Sequence, residues 1–293
     1  MNALAIISLI NLSKSYRKQA VLNNINLTID SPGIYALVGP NGVGKTTLLN
    51  VVTNIQPASS GSVEILGKSN KDQTVFKEVS YLQDNTVLFD YLTGYDHLKY
   101  VCDVNKINKK RVREVASYVG MSNYLDKKVG NYSLGMKQHL LLAMSIANRP
   151  KLLLMDEPLN GLDPTSSILM RKILLELVEN NTTIILSSHN LAEIDRVTKQ
   201  VLFLKDGKLI DVDMGEHETT SYYFEILEAK IAISILNEKG FLIQEVKNGI
   251  KADIPNRKLD SLISELKQHS IEINDIHKEV SGSEKLYEEF FNL

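Results

Sequence analysis

Apolar and polar positions alternate in two β-like runs near the start of the chain, residues 5–12 and 21–29, on either side of a polar turn around Lys18. A shorter apolar strand, residues 34–38, stops at Gly39. From Lys45 the period lengthens to that of a helix: Leu48, Val51, Val52 and Ile55 share one buried face, and Pro57 ends it. Strands over 62–66 and 79–82 precede a long, mostly helical stretch, residues 93–147, in which Thr93 and Asp96 stand as caps. The apolar run 152–155 ends in acids, a helix follows over 166–178, and residues 183–186 form another buried strand. A hairpin about Asp206-Gly207 closes the region near residue 215. Strands alternating with helices predict an α/β architecture.

After residue 218 the pattern changes. A strand over 222–227, a helix to Lys239, strands over 241–246 and 250–254 joined by Asn248-Gly249, a second helix and a strand over 271–276 give the order β-α-β-β-α-β. In the second helix Leu259, Leu262, Ile263 and Leu266 fall on one face. That order predicts a small α+β, ferredoxin-like domain over 218–293 behind a larger one over 1–217. A last short helix places Leu286 and Phe290 four apart.

Composition narrows the function classes. With 293 residues, 43% hydrophobic and 23% charged, the chain has the balance of a globular protein with a sizeable core. The single cysteine, Cys102, has no partner for a disulfide or a metal site, which points to a reducing compartment. Residues 1–10 lack a basic start and read as a strand rather than a signal peptide. No apolar run reaches the roughly 18 residues that cross a bilayer, so a membrane role must come through a partner. A net charge of -2 gives no general attraction to phosphate backbones, and nucleic acid is not an expected partner.

The chemistry is concentrated in a few short segments. Gly39-Pro40-Asn41-Gly42-Val43-Gly44-Lys45-Thr46 matches G-x-x-x-x-G-K-[ST], and it follows a strand and opens a helix as that motif requires. Glycines let backbone N–H groups curl around phosphate oxygens, the helix start adds positive potential, Lys45 reaches the terminal phosphates, and the Thr46 hydroxyl can ligate Mg²⁺. Thr47 follows in the same turn. The run ending in Asp156-Glu157 adds a magnesium-site carboxylate, Asp156, and a general base, Glu157, beside an attacking water.

With these motifs the chain resembles the ATP-binding cassette (ABC) ATPases, the motor subunits of ABC transporters, over residues 1 to about 210. The resemblance is carried further by Gln83 after a strand, Tyr132-Ser133-Leu134-Gly135-Met136-Lys137-Gln138 before a helix, Gly161-Leu162-Asp163, and Ser187-Ser188-His189 at a strand end. It implies a P-loop fold with a β-rich antiparallel subdomain, a parallel-sheet core and a helical subdomain at about 90–148. It also implies that Tyr16 stacks on adenine, Gln83 touches metal or water, and His189 binds the γ-phosphate and holds the water with Glu157. A surface tyrosine and a plain loop histidine remain the alternatives. The segment 132–136 departs from the usual L-S-G-G-Q at Tyr132, Leu134 and Met136, and resembles the form in bacitracin-resistance and lantibiotic-immunity exporters.

Because the signature segment of such cassettes faces away from its own phosphate loop, the resemblance implies an ATP-sandwiched pair, expected to be a homodimer. Lys45, Asp156, Glu157 and His189 come from one copy, and Ser133, Gly135 and Asp163 from the other. It implies ATP and Mg²⁺, a separate integral membrane permease, a place on the cytoplasmic side of the membrane, and export of peptide, antibiotic or toxin without direct cargo contact. Non-transport ABC ATPases acting on ribosomes or DNA, and importer ATPases, are the alternatives. Leu88, Phe89, Tyr91 and Leu92 are a candidate permease groove or else local core. Lys106, Lys109, Lys110, Arg111 and Arg113 read as a solvated face, with lipid headgroups or nucleic acid second. The tail is an interaction or regulatory domain or a stability appendage.

Overall fold

The computed structural model describes residues 5–17, 19–217, 220–254, 258–280, 287–288 and 290–291. Lys18 and Leu286 lie outside these. The chain divides into two compact units, Met1–Asp213 and Met214–Leu293.

In the first unit β1 (Ile7–Tyr16) and β2 (Gln19–Ile29) pair antiparallel, their inward side chains Ile7, Leu9, Leu12, Leu22 and Ile25 fully buried. β3 (Ile34–Val38) runs into the loop before α1 (Lys45–Val52). This helix is shorter than its apolar spacing predicts. Thr53 turns its hydroxyl back onto Leu49 O at 2.8 Å, Asn54 takes a left-handed φ of 56°, and Ile55 is left 55% exposed. β4 (Ser60–Ile65) and β5 (Lys68–Ser69) complete an antiparallel sheet of order β2-β1-β4-β5.

β6 (Val79–Leu82) leads to the helices α2 (Gly94–Val104), α3 (Lys110–Tyr118) and α4 (Leu134–Ile146). Thr93 and Asp96 form a capping box on α2, each side chain accepting from the other's backbone N–H. β7 (Leu152–Met155), α5 (Pro164–Glu179), β8 (Thr183–Ser188), α6 (Leu191–Ile194), β9 (Gln200–Lys205) and β10 (Lys208–Asp213) follow. Asp206 and Gly207, both at positive φ, make the tight turn of the last hairpin. The second sheet has the order β10-β9-β3-β8-β7-β6 and is parallel from β9 to β6. Every residue of β7 and β8 is buried, as a parallel sheet covered on both faces requires. The loops after β3, β6, β7 and β8 therefore emerge at one end of the sheet, where α/β folds place ligands.

In the second unit the short α7 (Met214–His217) precedes β11 (Thr220–Glu225), α8 (Ala229–Glu238), β12 (Ile243–Val246), β13 (Gly249–Asp253), α9 (Leu259–Gln268) and β14 (Asp275–Val280). Its antiparallel sheet, order β12-β13-β11-β14, packs Tyr222, Phe224 and Ile250 against Leu236, Leu262 and Leu266 of the helices. This is the ferredoxin-like arrangement. The last strand starts later than its isoleucines suggest: Ile271 N donates to Leu266 O at 3.0 Å, so Ile271 closes α9 and enters the core before β14 begins.

Candidate functional site

The phosphate loop is shaped by close approaches. A Cβ on Gly39 would lie 2.7 Å from Leu204 O, and one on Gly44, whose φ is 114°, would lie 2.7 Å from Val21 Cγ1. No side chain caps α1, so its first N–H groups face the loop. Lys45 is only 6% exposed and curls beneath the loop. Its Nζ donates to Gly39 O at 2.8 Å and Pro40 O at 3.4 Å, and stands 3.5 Å from Glu157 Oε1. Burial of an ammonium is tolerable only with such partners.

The two acids after β7 are held by their neighbours. Asp156 N continues the ladder onto Leu82 O at 2.9 Å. Its Oδ2 accepts from the Thr46 hydroxyl at 2.7 Å, and its Oδ1 accepts from Ser187 Oγ. The same Ser187 oxygen accepts from Glu157 N at 2.9 Å. Glu157 has a left-handed φ of 49°, which turns its carboxylate out of strand direction. Glu157 Oε2 then meets His189 Nδ1 at 2.9 Å. One carboxylate is thus set between Lys45 and His189. Ser187, a fully buried hydroxyl that positions both acids, has no signal of its own in the sequence beyond its place two residues before His189.

Thr46 and Asp156 supply two hard oxygen donors 2.7 Å apart beside the phosphate loop, which fits Mg²⁺, a cation bound through one or two protein oxygens plus phosphates. Among the described residues no cluster of three or more His, Cys, Asp or Glu forms an all-protein metal cage. Gln83 follows β6 directly. Burial first, then the Asp156 and Asp84 carboxylates, push the neighbouring Tyr81 hydroxyl well above its ordinary range, so it remains a neutral phenol.

A second group gathers at the start of α4. Ser133 caps that helix, accepting from Met136 N at 3.3 Å. Gly135 packs so closely that a Cβ would lie 3.0 Å from Ser166 Oγ and 3.3 Å from Asp163 Oδ2. Asp163 caps α5, accepting from Thr165 N, Ser166 N and Ser166 Oγ at 3.0, 3.1 and 2.7 Å. The Ser166 hydroxyl, and then the backbone N–H groups, hold its carboxyl below the usual range. Leu134 presses on Gly161, where a Cβ would lie 2.8 Å from Leu134 Cδ2. These residues hold one another, and no hydrogen bond among the described residues joins Ser133 to the phosphate loop. Tyr16, 42% exposed, donates to Gln56 Oε1 and carries the Lys14 ammonium 5.0 Å from its ring centroid.

The proposed permease cluster divides. Leu88 is buried, whereas Phe89 and Tyr91 are 54% and 70% exposed with ring centroids 5.8 Å apart. His97 accepts from Phe89 N at 3.0 Å and so fixes that loop. His139 is partly buried: that burial pushes its imidazole below the ordinary range, and the Tyr124 hydroxyl lies 2.9 Å from Nδ1.

The family model for the ABC transporter matches residues 22–160. A second, described as an AAA domain, putative AbiEii toxin, Type IV TA system, matches 128–195. The lantibiotic transport ATP-binding protein SrtF of Streptococcus pyogenes is 36% identical over 68% of this chain and 87% of its own. The chain belongs to the ABC transporter ATP-binding proteins. This ATPase is also 35% identical to the bacitracin transport ATP-binding protein BcrA of Enterococcus faecalis, over 77% of this chain and 76% of that one. The ABC transporter ATP-binding protein YhcH of Bacillus subtilis is 30% identical over 92% of this chain and 91% of its own, so that match reaches into the second unit. Among solved structures, the ATP-binding cassette MJ0796, a dimer in a post-hydrolysis state with ADP and Pi, shares the fold with a TM-score of 0.66. It covers 71% of this chain and 98% of its own at 22% identity.

Proposed function

We propose that this ABC ATPase works as a homodimer with two ATP molecules between its copies, powering a separate membrane permease that exports a peptide, antibiotic or toxin. The observation that carries this reading is the division of polar residues into two groups. One, Lys45, Thr46, Asp156, Glu157 and His189, is complete on the acid and base side of hydrolysis. The other, Ser133 and Gly135, offers a helix start to an anion, and no hydrogen bond among the described residues joins it to the phosphate loop. Two copies facing each other would supply both to each nucleotide, with Asp163 near the joint and Tyr16 against adenine.

Within a copy, Lys45 leaves its carbonyl partners to meet the β and γ phosphates, which releases Glu157 from the ion pair. Glu157 then takes the proton of the attacking water, and His189, oriented through Nδ1, turns Nε2 toward the γ-phosphate. Gln83 faces the water from the neighbouring strand end. Mg²⁺ bound by Thr46 and Asp156 would neutralise charge on the phosphates. Phe89 and Tyr91 form the face for the permease, and the protein works on the cytoplasmic side of the membrane. The bacitracin and lantibiotic names of the relatives support peptide or antibiotic cargo. No helix among the described residues is long and apolar enough to cross a membrane. The second unit is an accessory domain with regulatory contacts.

Glu157→Gln tests the scheme. Hydrolysis is expected to fall by a factor on the order of 10² or more, with an ATP-dependent dimer accumulating in light scattering. Normal turnover in that variant would reject both the base and the sandwich. Phe89→Ala with Tyr91→Ala should release the permease while leaving basal ATPase unchanged, and retained binding would show that the permease face lies elsewhere.

A further inference from the structure

A cavity of about 740 Å³ lies at the end of the parallel sheet opposite the nucleotide loops. Arg149 and Pro150 of its lining precede β7 and Thr182 precedes β8, whereas Asp156 and His189 follow those strands. Tyr118 of α3 and Leu177 of α5 form further walls. An adjoining cavity of about 410 Å³ shares Arg111 and Arg149 and adds Lys110.

Most of the charge around these cavities is already paired. Arg111 donates to Ala147 O at 3.1 Å and Ile146 O at 3.2 Å, and lies 3.5 Å from Glu114. Lys151 pairs with Glu78. Glu176 accepts from the Tyr118 hydroxyl at 2.7 Å and faces Lys172 at 3.7 Å. Among the described residues the side chains of Arg149 and Lys110 have no partner, and Arg149 lines both cavities. The unpaired acid, Glu179, lines only the larger one. Arg149 also has a φ of 53°, a conformation that glycine adopts more cheaply, so the arginine is held where the backbone alone does not favour it.

We propose that the joined cavities are a second ligand site, for a small organic anion. A phosphate, sulfonate or carboxylate group lies between Arg149 and Lys110, where the guanidinium fork suits a planar or tetrahedral oxyanion. An apolar body enters the larger cavity against Ile146, Pro150 and Leu177. The volume is that of a site for a drug-sized molecule. Bound there, the ligand bridges α3 and the sheet from the side away from ATP.

The test uses the full chain and the dye 8-anilinonaphthalene-1-sulfonate, an anion on an apolar body, titrated by fluorescence in saturating ATP. One saturable site is expected. Arg149→Gly should weaken it by about tenfold, and adding Lys110→Ala should weaken it further. Arg149→Gly relieves the left-handed strain, so its melting temperature should equal or exceed that of the parent, and loss of dye cannot be laid to misfolding. The uncharged N-phenyl-1-naphthylamine should bind at least about tenfold more weakly. Unchanged affinity in the double variant, equal affinity for the uncharged dye, or a Kd that climbs in proportion to ATP would each overturn the proposal.

Discussion

Ser187→Ala removes one oxygen that serves two acids. In the folded chain Ser187 Oγ accepts from Glu157 N at 2.9 Å and donates to Asp156 Oδ1, and the residue is fully buried. Alanine leaves the Glu157 N–H without an acceptor, at a cost of about 1–3 kcal/mol, and takes one charge-assisted donor from Asp156. Other donors and water replace part of this, so about 3 kcal/mol is an upper figure for folding stability. For a unit of this size that corresponds to about 6–12 °C in melting temperature. The effect on catalysis is separate. In the proposed mechanism Asp156 holds the metal and Glu157 is the base; loss of the support behind such a pair typically lowers activity about 10- to 100-fold, and it should fall on kcat because both acids are assigned to the phosphate end of the nucleotide. Steady-state ATPase kinetics and a thermal melt on the same preparation make the measurement. A variant that melts within about 2 °C of the parent and keeps kcat within about twofold would refute the idea that this hydroxyl positions Asp156 and Glu157.

Two further perturbations test the supports around the site. Thr93→Ala removes half of the capping box on α2 and should cost about 1 kcal/mol in urea unfolding at pH 7. The Thr93 hydroxyl, and then its backbone N–H, hold the Asp96 carboxyl below its ordinary range. The stability this contributes is therefore complete above the unfolded carboxylate pKa and is lost as pH falls through the lower folded value. The gap between parent and variant should narrow only below about pH 4, and a gap that shrinks already near neutrality would point to another group. Gly161→Ala sets a Cβ 2.8 Å from Leu134 Cδ2 at a φ of 69° and should lose about 1–3 kcal/mol. Adding Leu134→Ala should recover the steric part, and strict additivity in that double-mutant cycle would show that the two residues do not touch.

Much of the site was legible because its chemistry is written in contiguous segments. The glycines before Lys45 and the acids after residues 152–155 sit at strand ends, where one apolar run and one motif place them together. Thr93 and Asp96 were equally legible, since a capping box depends only on residues three apart. Other readings were settled by hydrogen bonds and packing that apolar spacing does not carry. Ile55 continues the helical spacing of α1, yet Thr53 and Asn54 end that helix first and leave Ile55 in solvent. Ile271 belongs to an apolar alternation that reads as strand, but its N–H closes α9. Leu88 shares an apolar cluster with Phe89 and Tyr91, and only packing separates the buried member from the exposed ones.

By itself the sequence determined the fold class, the phosphate loop and the strand that carries Asp156 and Glu157, because periodicity and short motifs act over a few residues of chain. Tertiary structure alone decided that Ser187 bridges the two acids, that Lys45 and His189 share one carboxylate, and that Leu134 rests on Gly161. It also decided that Arg149 and Lys110 line one cavity at the other end of the sheet. These contacts join residues far apart in sequence, and their geometry is set by sheet register and helix packing, which no local pattern encodes.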